Sequence, residues 1–136
     1  DWCGDVLRYL PMLARMAEIA PSWNIRIFYR DRNLDLAERW LKNGIHRAIP
    51  VIAFFDQNWN ELGYYQEKPV QVYKEEAAAI ADFAVLHPDL PDSSLPYAEM
   101  SDSTKQLYAP YMVNFRLSRM SAWQSMFVDE VLSKLA

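Results

Sequence analysis

The chain has 136 residues, and its 14 basic and 18 acidic side chains give a formal net charge of −4. That length suits one domain or a small domain with an extension, and the acidic balance argues against nucleic acid as a partner. A single cysteine excludes an internal disulfide, and with only two histidines it argues against a metal site. Three glycines leave no room for a glycine-rich phosphate loop, and no apolar run is long enough to span a membrane. The composition therefore predicts a folded acidic protein with no metal, no cofactor and no membrane partner.

The first two predicted elements are a helix and a strand. Apolar residues recur at helical spacing over residues 4–20, which predicts an amphipathic helix. Pro11 lies inside this pattern, and because the pattern continues beyond it we expect a kink rather than an end. Residues 24–29 begin with an alternation and are β-branched and aromatic, so they predict a strand.

A short helix is predicted next. Asn33 fits the N-cap of a helix over residues 34–42, and Asn43-Gly44 would end it. The buried face of this helix would be formed by Leu36, Trp40 and Leu41.

The following segments predict a β-hairpin. Residues 49–55 form a short continuous apolar run introduced by a proline, which is typical of a buried strand. Residues 56–60 are polar and turn-like, and residues 62–65 predict a second short strand.

A longer helix is predicted after the hairpin. Pro69 fits its first turn, and the helical pattern continues to about Leu86. We expect one apolar stripe to face the core, formed by Val70, Tyr73, Ala77, Ile80, Ala81 and Ala84. The predicted order is then helix, strand, helix, strand, strand, helix.

The rest of the chain predicts a linker and a helical extension. Residues 87–96 hold three prolines and are expected to form the linker. Residues 97–136 predict helix again, interrupted or kinked near Pro110, with a stripe formed by Leu117, Met120, Trp123, Phe127, Val131 and Leu135. We expect these aromatic and methionine side chains to pack on their own domain, and the alternative is a homodimer through the C-terminal helices.

Cys3 is the candidate nucleophile. It stands at the start of the first predicted helix, where unpaired backbone N–H groups and the positive end of the helix dipole favour a thiolate over a thiol. Trp2 would provide a flat apolar shoulder for a partner peptide. The alternative is a buried, inert cysteine packed beside Trp2.

The sequence around this cysteine resembles a known family. Trp2-Cys3-Gly4-Asp5-Val6 resembles the Trp-Cys-Gly-Pro-Cys motif of thioredoxins, and Pro11 falls where thioredoxins carry the proline of their active-site helix. Ile49-Pro50-Val51 resembles the loop whose cis-proline lies against the catalytic sulfur. The chain is similar to bacterial thioredoxin-like proteins with a Trp-Cys-Gly-Asp motif. The resemblance implies an α/β, thioredoxin-like fold over residues 1–86.

The resemblance also implies roles for individual residues. Cys3 would be the nucleophile, Gly4 would allow close backbone approach, and Pro50 would follow a cis peptide bond. The backbone of Ile49 would then face an incoming extended substrate. Arg47 could stabilise a thiolate or bind an anionic thiol, although a solvated loop residue is the simpler interpretation.

Two departures from the family pattern matter. Val6 stands where a thioredoxin has its resolving cysteine, so a mixed disulfide on Cys3 could be released only by an outside thiol. Only two residues precede Cys3, whereas the family places a central strand and a buried acid upstream, so we expect the natural protein to extend N-terminally. Asp5 replaces the motif's proline, and its carboxylate suits the first helical turn but opposes a thiolate nearby.

The sequence therefore predicts a thioredoxin-like protein with a single reactive thiol, a candidate monothiol thiol–disulfide oxidoreductase. It would form mixed disulfides with protein disulfides or low-molecular-weight thiols and serve cell redox homeostasis. The competing hypothesis is a redox-inactive thioredoxin-fold module used for protein binding or oligomerisation. One free cysteine suits a cytoplasmic location.

Overall fold

The structure is a computed structural model that describes residues 3–135. These residues form two compact units. Residues 3–68 and 124–135 make up the first, which we call the cysteine unit, and residues 69–123 make up the second, which we call the helical unit. The boundaries between these compact units fall at residues 68/69 and 123/124, and the predicted domain boundaries at residues 86 and 96 stay a prediction.

The cysteine unit begins with helix α1, Gly4–Ile19. The predicted helix is confirmed, and it runs through Pro11 without interruption. The buried residues of α1 are Leu13 and, one turn before it, Tyr9.

The strand predicted over residues 24–29 is wrong. The backbone of this segment does not form a strand, and Ile27, Phe28 and Tyr29 are each more than half exposed. A strand needs a neighbour for its backbone hydrogen bonds, and within residues 3–135 the sheet consists of two strands that pair with each other. The β-branched and aromatic composition of this segment is therefore not sufficient to form a strand. A short 3₁₀ turn, Arg30–Arg32, follows it.

Helix α2 spans Leu34–Arg39 and ends earlier than residue 42. Gln66 Nε2 donates to the carbonyl of Trp40 at 2.6 Å, which holds that carbonyl outside the helical pattern. Lys42 and His46 then pair as a β-bridge across a turn in which Asn43 and Gly44 adopt positive φ. The three residues predicted as the buried face of this helix are only half-buried: Leu36, Trp40 and Leu41.

Strands β1, Val51–Phe55, and β2, Glu61–Gln66, form the predicted antiparallel hairpin. Asp56 stabilises the turn, because its Oδ1 accepts hydrogen bonds from the backbone N–H groups of Asn58 at 2.8 Å and Asn60 at 2.9 Å. The hairpin prediction is confirmed, with β1 starting two residues later than expected.

The core of the cysteine unit is built around aromatic rings. Phe127 stacks on Tyr9 at 4.8 Å and meets the edge of Tyr65 at 5.3 Å between ring centroids. Leu13 and Val131 complete this cluster. The core therefore joins α1 and β2 to a segment more than 50 residues further along the sequence.

The helical unit contains α3, Val70–Leu86, and most of α4, Asp102–Ser133, with a short 3₁₀ turn, Tyr97–Glu99, before α4. Phe83 lies at its centre, with the rings of Tyr108 and Tyr111 at 5.1 and 5.3 Å. Ala79, Met100 and Met112 belong to the same cluster.

The predicted core stripe of α3 is wrong. Val70 and Tyr73 are exposed, and the buried residues are Val72, Glu76, Ala79 and Phe83. Apolar residues cover much of the surface of this helix, so periodicity alone does not identify one face. The buried face includes the carboxylate of Glu76. A prediction based on apolar residues alone therefore could not identify this face.

Helix α4 continues through Pro110, so of the two predicted outcomes the interruption is wrong and the kink stays a prediction. Pro110 and the preceding-turn residue Gln106 are both exposed, where water can satisfy the carbonyl that proline leaves unpaired. Along the predicted stripe Trp123, Phe127 and Val131 are fully buried, whereas Leu117 is exposed.

Candidate functional site

The sulfur of Cys3 lies at the N-terminus of α1 and faces the loop before β1. Cys3 is the N-cap residue of α1, and its carbonyl accepts the first helical hydrogen bond, from Leu7 N at 3.2 Å. Its Sγ donates to the carbonyl oxygen of Ile49 at 3.4 Å, across 46 residues of sequence. The side chain is half-buried, so the thiol is held in place while part of its surface remains accessible.

The loop that receives this hydrogen bond is anchored to the hairpin. The Ile49–Pro50 peptide bond is cis. The carbonyl of Pro50 accepts a hydrogen bond from Glu67 N at 2.7 Å, which extends the β1–β2 ladder by one pair. The structure thus brings together three of the residues predicted for the site: Cys3, Ile49 and Pro50.

A partly buried charge cluster occupies the first turn of α1. Arg8 Nη1 donates to Asp5 Oδ1 at 2.6 Å, and both side chains are about 15% exposed. Lys68 Nζ lies 3.9 Å from the other carboxylate oxygen of Asp5. The acid next to the cysteine therefore has two cations around it.

Gly4 makes room for this cluster. A Cβ atom added to Gly4 would lie 3.0 Å from Arg8 Nη2, which is closer than ordinary van der Waals contact. Long helical side chains point back toward the helix N-terminus, and Arg8 does so across the surface that Gly4 leaves open. The sequence predicts that Gly4 allows another backbone to approach closely. In the structure the guanidinium of Arg8 lies in the space beside Gly4.

None of the three charged residues of this cluster was among the predicted site residues, although Asp5 was considered for its effect on the thiolate. Arg8 stands three positions after Asp5, and that spacing is itself a signal for an ion pair on a helix. Lys68 is 63 residues from Asp5, and no sequence pattern links the two.

Arg47 is directed toward α2. Its guanidinium is ion-paired with Glu38, and its carbonyl accepts a hydrogen bond from Arg30 Nη1 at 3.5 Å. Arg30, Glu38, His46 and Arg47 line a surface pocket. The guanidinium of Arg47 is thus engaged by a carboxylate in the structure, and its role in substrate binding stays a prediction.

The remaining motif positions are Trp2 and Val6. Trp2 lies outside the described residues. Val6 is half-buried and lines an apolar groove with Leu10 on α1 and with Ile25 and Ile27 of the extended segment. Cys3 is the one cysteine of these 136 residues, so Val6 and the rest of this sequence supply no second thiol to attack a disulfide formed on it.

The described residues limit the chemistry further. Over residues 3–135, no group of three or more histidine, cysteine, aspartate or glutamate side chains is arranged to hold a metal ion. In the same part of the chain, none of the helices combines the length and the apolar character needed to cross a bilayer.

The cysteine at the helix N-terminus therefore faces the residue before Pro50 within a unit of helices and strands. The family model described as thioredoxin matches residues 1–81 of the 136. The chain therefore belongs to the thioredoxin family. No curated protein and no solved structure matches it.

Proposed function

We propose that this protein is a monothiol member of the thioredoxin family that forms mixed disulfides through Cys3. One observation carries the proposal: Cys3 is the N-cap residue of the 16-residue helix α1, and its side chain is only half-buried, so a substrate can reach the sulfur. The helix N-terminus favours a thiolate, which is the form that attacks disulfides. Family membership supports the same chemistry.

The reaction consists of two exchanges. In the first, the thiolate of Cys3 attacks one sulfur of a disulfide, the bond between the two substrate sulfurs breaks, and the leaving thiolate takes up a proton. In the second, the thiolate of an external thiol attacks the substrate sulfur of the mixed disulfide. Cys3 is released as a thiolate, and the substrate leaves as a disulfide with the external thiol. No electrons are gained or lost overall.

The external thiol is required because Val6 occupies the position of the resolving cysteine. A reducing cytoplasm would supply low-molecular-weight thiols for this step. The expected substrates are therefore protein disulfides and the disulfides of small thiols. An extended substrate would lie beside the Ile49–Pro50 loop, with Trp2 as its apolar shoulder.

The experiment is to incubate the purified protein with glutathione disulfide and follow its intact mass. We expect one glutathione per chain, and release of that adduct when dithiothreitol is added. The matched control is Cys3→Ser, which keeps a small polar side chain at the N-cap and should gain no mass. A folded protein whose Cys3 forms the adduct no faster than the urea-unfolded chain would contradict the proposal.

A second candidate is a redox-inactive thioredoxin-fold module that binds proteins. It is favoured by the direction of the hydrogen bond, because the sulfur donates to the carbonyl of Ile49 and this bond exists only for the neutral thiol. The iodoacetamide reaction separates the two candidates. Alkylation of native Cys3 that is faster than alkylation in the unfolded chain supports the monothiol protein, and slower alkylation supports the binding module.

A further inference from the structure

We propose that Arg8 is a positioning residue for the Cys3 thiol, because it holds the Asp5 carboxylate in an ion pair and offsets the charge that would oppose a thiolate. The inference concerns the same sulfur as the proposed function and rests on it. Arg8 does not have to touch a substrate to act in this way.

The need for such a residue follows from the position of Asp5. Cys3 is the N-cap of α1 and Asp5 is its second helical residue, so both lie in the first turn. A carboxylate there interacts favourably with the helix dipole. The same negative charge disfavours a thiolate nearby, and partial burial strengthens this interaction because less water screens it.

The position of Arg8 allows its guanidinium to offset the charge of Asp5. Its Nη1 atom lies 2.6 Å from Asp5 Oδ1, and its Nη2 atom packs against the open face of Gly4, between the two residues concerned. Both partners of the ion pair are about 15% exposed. A guanidinium so placed is fixed by packing on one side and by the carboxylate on the other.

Lys68 supports the same arrangement. Its Nζ lies 3.9 Å from Asp5 Oδ2, and its side chain is as little exposed as that of Asp5. The Asp5 carboxylate thus has a cationic group at each of its two oxygens, Arg8 at Oδ1 and Lys68 at Oδ2.

Helix α1 contains its own control. Arg15 and Glu18 form a second ion pair of the same spacing and the same 2.6 Å distance. Both of these side chains are about two-thirds exposed, and they lie near the other end of the helix. The two pairs differ in burial and in distance along the helix from Cys3, and these are the properties on which the inference depends.

The test is the rate of Cys3 alkylation by iodoacetamide at neutral pH. We expect Arg8→Met to slow alkylation by about threefold or more, since charges near a helix terminus act on this scale. Arg8→Lys, which keeps the charge, should recover much of the rate. The double variant Asp5→Asn with Arg8→Met should return to the rate of the unaltered protein, because the opposing charge is then absent. Arg15→Met should leave the rate unchanged.

The outcomes separate the inference from the proposed function. Equal rates for Arg8→Met and Arg15→Met would overturn the role of Arg8, even if the unaltered protein forms the glutathione adduct. Failure of the unaltered protein to form that adduct would contradict the proposed function, whatever the variants do. If Arg8→Met does not fold, as judged by circular dichroism, Asp5→Asn alone decides: faster alkylation supports the inference, and an unchanged rate overturns it.

Discussion

The cysteine unit and the helical unit place their ion pairs differently. In the helical unit, Arg119 and Arg116 of α4 reach across to Glu75 and Glu76 of α3, and each pair is more than 35 residues apart in sequence. In the cysteine unit, Asp5 and Arg8 form an ion pair within a single turn of α1, next to Cys3. The first arrangement connects two helices, and the second lies within the first turn of α1, which Cys3 caps.

This difference shows how burial and sequence separation indicate the role of a charged pair. A pair that joins two helices fixes how they pack, since both charges lose their hydrogen bonds if the helices separate. A pair within one helical turn adds little to tertiary packing. Its partial burial in the turn that Cys3 caps is the observation from which we propose a positioning role for Arg8.

The largest expected effect comes from the aromatic core of the cysteine unit. Phe127→Ala should lower the free energy of unfolding by about 3–5 kcal/mol, because it removes a fully buried ring that contacts Tyr9 and Tyr65. Urea denaturation followed by circular dichroism measures this. Leu117→Ala, on the exposed face of the same helix, is the control and should change little. Equal effects of the two variants would show that the core is not centred on Phe127.

The next effect tests the connection between α3 and α4. Glu75 Oε2 accepts hydrogen bonds from Arg119 Nε at 2.8 Å and from Trp123 Nε1 at 2.7 Å. Glu75→Gln removes the charge from this network, and we expect it to lower the free energy of unfolding by about 1.5–3 kcal/mol in urea denaturation. The control is Asp82→Asn, an exposed acid on the same helix. If both substitutions lower the free energy of unfolding by the same amount, the network does not stabilise the helical unit.

The same network predicts a pH dependence. Two hydrogen bonds lower the pKa of Glu75 from 4.5 to about 2, the larger contribution coming from Arg119 and the smaller from Trp123. A carboxylate with a lowered pKa stabilises the fold fully above its unfolded pKa, and this stabilisation is lost as the pH falls toward about 2. Unfolding by urea should therefore require less denaturant at about pH 3 than at about pH 6. Glu75→Gln should lose less stability over this interval, and an identical loss in both proteins would contradict the assignment.

The smallest effect is expected in the extended segment. Ile27 is 63% exposed and lies outside any strand, so Ile27→Ser should change the free energy of unfolding by no more than about 0.5 kcal/mol. Ile25→Ser is the matched comparison, since Ile25 packs against the core of the cysteine unit and should cost more. A large effect of Ile27→Ser in urea denaturation would show that this segment is more deeply integrated than its exposure indicates.

Elements with strong local signals could be predicted from the sequence. The apolar periodicity of α1, the proline before α3 and the polar turn after Phe55 each depend on neighbouring residues, and the corresponding elements are present. The candidate nucleophile could also be identified, because a single cysteine before a helical pattern is a local feature. The early end of α2 could not, and no sequence pattern links the carbonyl of Trp40 to the side chain of Gln66 that donates to it.

The buried face of α3 and the failure of residues 24–29 to form a strand have the same explanation. In both cases the local composition allows several outcomes. The outcome depends on whether a residue or strand distant in the sequence packs against the segment. Arg116 makes Glu76 acceptable on a buried face, and the extended segment has no strand partner within residues 3–135. Hydrophobic periodicity predicts neither the ion pair between Arg116 and Glu76 nor the lack of a strand beside residues 24–29.

The sequence by itself determined that these 136 residues hold one thiol, at the start of an amphipathic helix, with Val6 at the position of a resolving cysteine. These properties follow from residue identity and local spacing. Only the tertiary structure placed the sulfur 3.4 Å from the carbonyl of Ile49 and brought Lys68 to the acid of the first turn. Such contacts depend on how segments distant in the chain pack together, and packing is a property of the whole fold.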